Sequence, residues 1–130
     1  MFSLVGVVAA ALGAYLVVSA VLATGKADPP LENNLVPLTQ ESVAIGASLY
    51  QEDCALCHGE SGRGDGPAAR GMSPRPADLT THVSLHPDGE LQRFIRDGFP
   101  NTAMRPFRDQ LTQEEIWNLV NYLRQTFPAK

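Results

Sequence analysis

The chain opens on an apolar run. Residues 2–24 (FSLVGVVAAALGAYLVVSAVLAT) carry no charge and no proline. As a helix, roughly 23 residues would measure about 34 Å, enough to cross a bilayer. The pattern predicts a single transmembrane helix over residues 1–25. A cleaved secretory signal is the competing reading, but the run is longer than a signal core and no basic segment precedes it. Ala9/Gly13 and Ala10/Ala14 have the small-xxx-small spacing that lets membrane helices pack closely. Residues 26–39 then read as a linker, because Pro29-Pro30, Asn33-Asn34 and Pro37 block regular structure.

From Gln40 the apolar period becomes helical. Val43, Gly46, Ala47 and Tyr50 share one face, with Thr39 as N-cap. Residues 59–78 (GESGRGDGPAARGMSPRPAD) form a long loop, with a turn expected near Ala68–Arg70. Residues 79–87 look irregular and hold His82 and His86. A short helix follows over Gly89–Gly98, with Leu91, Phe94 and Ile95 on one face, Asp88 as N-cap and Gly98 at its end. After the loop 99–109 (FPNTAMRPFRD), Thr112 and Glu115 form a capping-box pattern. Ile116, Leu119, Val120 and Leu123 repeat at helical spacing, with Trp117 and Tyr122 on the flanks and Pro128 as the stop. The regular stretches are therefore all helical, in one domain over residues 40–130.

Composition adds little until the cysteines are placed. The 130 residues carry a formal net charge of −4, with no basic run, so nucleic acid is not an expected partner. The two cysteines lie together in Cys54-Ala55-Leu56-Cys57-His58. C-x-x-C-H is the attachment signature of c-type haem. The spacing sets the two thiols about one helical turn apart, in reach of the two vinyl groups of one porphyrin, and His58 is directed at the iron as proximal ligand. A thioredoxin-type dithiol would need a βαβ setting. A zinc site would need two further ligands, for which only His82 and His86 remain.

Around the motif, Pro67 is a candidate partner for His58, its carbonyl accepting the Nδ1–H; an ordinary turn proline is the plain alternative. For the sixth iron position Met72 and Met104 compete. Met104 is preferred because it sits in the loop before the last helix, whereas Met72 belongs to the loop that wraps the haem edge. His82 or His86 in that position would give a bis-His haem; otherwise they are surface or loop histidines.

With these residues in view, the stretch from about Gln40 to Phe127 resembles a class I cytochrome c. The likeness is carried by Gly46 and Tyr50, CALCH, the run Gly62–Pro67, Pro76-Ala77-Asp78-Leu79, the Met104 loop and the helix Trp117–Arg124. Arg105 stands where relatives often have a proline directly after the methionine. The resemblance implies an all-α fold around one haem c, bound covalently through Cys54 and Cys57 and ligated by His58 and Met104. It implies that the first and last helices cross, Gly46 and Tyr50 meeting the Leu119–Tyr122 region. It also implies attachment on the outer side of a bacterial cytoplasmic membrane, with the domain periplasmic on a single-pass anchor. Lys26 alone runs against that orientation.

The expected function is one-electron transfer in a respiratory or photosynthetic chain, as a subunit of a larger membrane complex such as a quinol-oxidising complex or terminal oxidase. The expected partners are redox proteins and membrane lipid, and the protein itself is not expected to be an enzyme. The competing class is a haem enzyme acting on peroxide, nitric oxide or a sulfur compound, which requires an open sixth position.

Overall fold

The computed structural model describes residues 33–128. The expected anchor over 1–25 and the first half of the linker lie outside the described residues. Among the described residues no helix is long and apolar enough to cross a membrane, and the regular elements are all helical. Helix α1 (Gln40–Leu49) runs through a π-helical turn (Tyr50–Cys54) into α2 (Ala55–His58). A 3-10 turn (Pro67–Ala69) interrupts the long loop. Helix α3 (Leu79–His82) passes into a second 3-10 turn (Val83–Leu85), followed by α4 (Asp88–Asp97) and α5 (Gln113–Thr126).

Thr39 starts α1 by accepting the Ser42 backbone N–H at 3.1 Å. This helix packs mainly on α5. The crossing depends on Gly46: a Cβ there would collide with the Asn118 carbonyl and stand 2.7 Å from the Tyr122 Cβ. The backbones meet because glycine has no side chain. One turn on, Tyr50 is fully buried. Its ring lies 5.2 Å from that of Tyr122. The expected crossing is therefore present.

The inner face of α1 differs from the apolar pattern. Its buried positions are Ser42 and Gly46, continued by Tyr50 on the π turn, while Val43 and Ala47 are half-buried. A polar residue is tolerated there because it is paired. Ser42 donates to Asn118 Oδ1 at 2.6 Å and accepts from Asn121 Nδ2 at 2.8 Å. Asn121 Nδ2 also faces the carbonyls of Val36 at 3.1 Å and Pro37 at 3.3 Å, and its Oδ1 accepts from Asn34 at 2.7 Å. Residues 34–37 are thus fastened to α5. The packed unit begins before Gln40, within the stretch assigned to the linker.

Helix α5 opens with the expected capping box between Thr112 and Glu115. Ile116, Leu119, Val120 and Leu123 are buried. Trp117 is buried as well, because α1 and α4 both pack on this helix. Residues 79–87 are more regular than their sequence suggests. The Asp78 carboxylate caps α3 by accepting from Thr80 N at 2.9 Å. Pro87, not Asp88, is the N-cap of α4. Asp88 instead accepts from Arg124 Nε at 2.7 Å. The other Arg124 nitrogens donate to the Val83 and His86 carbonyls. One guanidinium thereby ties α5 to the start of α4.

Candidate haem site

CALCH sits at the end of the first helical run. Before it, the backbone loosens into the π turn, and the Ala55 N–H reaches the Tyr50 carbonyl five residues back. Such turns recur where a helix presents functional side chains. Cys54 and Cys57 follow on α2 and its edge, both half-buried. Burial, reinforced by the nearby Asp53 and Cys57, pushes the Cys54 thiol up to about 12.

The glycine-rich loop caps this short helix. Gly66 N–H donates to the Cys57 carbonyl at 3.1 Å and Gly64 N–H to the His58 carbonyl at 2.8 Å. These are the orphan acceptors of a helix end. Gly64 has φ +70°, and a Cβ there would strike the Pro76 carbonyl. Leu79 N–H bonds back to the Gly62 carbonyl at 2.6 Å. The two arms of the loop therefore lie against each other, and the returning arm passes His58.

That path corrects the reading of Pro67. His58 Nδ1 lies 3.0 Å from the carbonyl of Ala77. Pro67 opens the 3-10 turn instead, and the Pro76-Ala77 arm takes the position beside the imidazole. The Pro76–Leu79 element belongs to the family resemblance, but nothing in its residue types marks a backbone acceptor. Burial lowers the His58 pKa, and the Ala77 carbonyl partly opposes the shift. The ring is held neutral at pH 7. With Nδ1–H donating to Ala77, Nε2 keeps its lone pair for a metal.

The Met104 loop is folded on itself. Phe99 N–H donates to the Met104 carbonyl at 3.1 Å. The Thr102 hydroxyl donates to the Phe99 carbonyl at 2.9 Å and accepts the Met104 N–H at 3.1 Å. Thr102 escapes sequence reasoning; a small hydroxyl residue two positions before a methionine carries no signal of its own.

These pieces meet at one cleft of about 380 Å³, within the range of cofactor sites. Cys54, Cys57, His58 and Met104 all line it, among apolar side chains such as Leu91, Ile95 and Leu119. Met72 also lines it. So do His82 and His86, and His86 is no loose surface group. Its Nδ1 lies 2.8 Å from Glu90 Oε2, and its ring stands edge-on to Phe94 at 5.1 Å.

The residues fit a haem. Apolar walls accept a porphyrin, two thiols stand one turn apart at the wall, and a neutral imidazole is held by its Nδ1. Cys54 and Cys57 would carry the covalent bonds and His58 would ligate the iron. When bound, the group supplies a one-electron iron couple. The zinc alternative lacks a ligand set: among the described residues no group of three or more His, Cys, Asp or Glu side chains is placed to hold a metal ion. The dithiol alternative lacks its βαβ frame among the same residues.

The chain is similar to known proteins. A nicotinate dehydrogenase subunit of Pseudomonas putida is 32% identical over 97 residues, covering 70% of this chain and 8% of that protein. A chain of the Kuenenia stuttgartiensis reducing HAO-like protein complex superposes with a TM-score of 0.63 at 27% identity, over 73% of this chain and 49% of that one. The chain thus spans under a tenth and about half of the respective relatives. Residues 41–123 match the family model described as cytochrome c oxidase, cbb3-type, subunit III. That match covers more than half of the sequence, and with the C-x-x-C-H cleft in place the chain belongs to this family of class I c-type cytochrome domains.

Proposed function

We propose that this protein is a membrane-anchored monohaem cytochrome c that passes single electrons between protein partners, as a subunit of a larger membrane complex in a respiratory or photosynthetic chain. A cytochrome c domain implies electron transfer. By their names, one relative is a subunit of a dehydrogenase and the other belongs to a protein complex. The uncharged stretch 2–24 supports an anchor, and its small-residue spacing supports packing against another subunit's helix. The domain then lies on the periplasmic side of the bacterial cytoplasmic membrane, and the protein is itself no enzyme.

The observation that carries the electron-transfer reading is the joint placement of His58 and Met104 on one apolar cleft. Met104 is the sixth ligand in this reading. A thioether there raises the potential and keeps small molecules from the iron. Reduction and oxidation then need little rearrangement. Met104→Ala leaves haem attached, lowers the potential and abolishes the methionine-to-iron absorption band, while Met72→Ala keeps that band. The reverse pattern would transfer the ligand role to Met72.

A further inference from the structure

Two charged residues flank the cleft, each beside a residue of the haem site. Asp53 precedes Cys54 on the π turn, and Arg105 follows Met104. Both line the cleft, and Arg105 Nη2 lies 3.7 Å from Asp53 Oδ1. Arg105 is also steered from below. Its guanidinium carbon sits 5.2 Å from the centre of the Phe107 ring. Phe107 is buried, and its N–H reaches the carbonyls of Ile95 and Arg96 at 3.2 Å. The guanidinium therefore rests between a fixed aromatic face and a carboxylate on the other segment. Asp53 is the more enclosed partner, 23% exposed against 59% for Arg105.

The position of this contact matters more than its strength. The ligand loop is closed internally by Thr102 and the Phe99–Met104 bond, but those bonds move with the loop. The Asp53–Arg105 contact joins the loop to the attachment helix, so it must break when the loop swings away.

We propose that Asp53 and Arg105 form a clasp that holds the Met104 loop against the CALCH helix and slows exchange of the ligand in the sixth position. Both are positioning residues, and the inference rests on Met104 being that ligand. A partly exposed pair contributes modestly. Its removal shifts the opening equilibrium of the loop, and access of an outside ligand to the iron follows that equilibrium.

The test uses the full-chain ferric holoprotein and imidazole as the incoming ligand, followed through loss of the methionine-to-iron band. Asp53→Asn and Arg105→Gln should each speed imidazole binding by about threefold, as expected for a partly exposed ion pair. The double variant should be no faster than either single one, because both remove the same contact. Wild-type protein at high salt should approach the variants. Potentials separate the clasp from a plain charge effect. Loss of Asp53 should raise the potential and loss of Arg105 should lower it, while both accelerate exchange. Unchanged rates, opposite changes in rate, or fully additive acceleration in the double variant would each overturn the clasp. Met104→Ala is the separate control. A band that survives it refutes the ligand assignment and the clasp with it; a band lost in Met104→Ala keeps the assignment, and the imidazole rates of the four proteins then decide whether the loop is clasped.

Discussion

At the scale of single residues, the domain depends on a few positions where one atom more or less changes the packing. Gly46 is the clearest. A side chain there meets the Asn118 carbonyl and the Tyr122 Cβ, so Gly46→Val must push α1 and α5 apart. Overpacking of this kind costs about 1–3 kcal/mol or more. Thermal unfolding of the holoprotein should show the loss, and an unchanged midpoint would mean the crossing is looser than the structure indicates. His58 shows the opposite dependence, on a backbone atom. Its Nδ1 partner is the Ala77 carbonyl, a group every residue possesses. The choice among carbonyls is made by loop path, which is why a proline nine positions after the histidine is equally eligible on sequence grounds. Ser42 adds a third case. Its type suggests a solvent-facing position, yet Asn118 and Asn121 make its burial favourable.

At the scale of elements, the helix ends are where sequence and structure agree best. The Thr112–Glu115 box forms as its spacing predicts, with Thr112 N–H donating to Glu115 Oε2 at 2.7 Å and Glu115 N–H to Thr112 Oγ1 at 3.2 Å. Thr112→Ala should lower stability by about 1 kcal/mol, measurable by chemical denaturation. The Thr112 N–H and the Thr112 hydroxyl, which donates to Glu115 Oε2 at 2.9 Å, hold the Glu115 carboxyl below its ordinary value of 4.5. Its folded pKa is thus lower than its unfolded one. Its contribution is present above pH 4.5 and is lost as pH falls through the lowered folded value. The stability gap between wild type and Glu115→Gln should therefore narrow on acidification below pH 4.5. A gap that stays constant would mean the carboxylate adds nothing to the cap. The π turn at Tyr50–Cys54 is not legible in the sequence, because an extra residue in a helical turn leaves no mark on a short apolar period. The 79–87 stretch reads as irregular for a related reason: α3 is one turn long, too short for periodicity to register.

At the scale of the whole molecule, His58 and Met104 stand 46 residues apart in the sequence and line one cleft. With Met104 as sixth ligand, as proposed, the thioether would close the iron to small molecules. Carbon monoxide should bind the reduced wild-type protein slowly at neutral pH and the Met104→Ala protein readily. Rapid binding to wild type would favour the small-molecule enzyme reading instead. Assembly is tested on native membranes: mild detergent should extract the protein together with other redox subunits, whereas extraction as a lone monomer would count for a freestanding carrier.

The sequence by itself determined the chemistry and the helical frame. C-x-x-C-H is contained within five consecutive residues, and caps and apolar periods act over one or two turns. Local spacing is enough to specify features of that range. The tertiary structure decided which groups meet across the chain. It assigned Ala77 rather than Pro67 to His58, fastened residues 34–37 to Asn121, brought His86 onto the cleft wall and set Arg105 against Asp53. Those contacts depend on how loops return over the helices, and loop paths are set by packing and backbone hydrogen bonds that no single residue type announces.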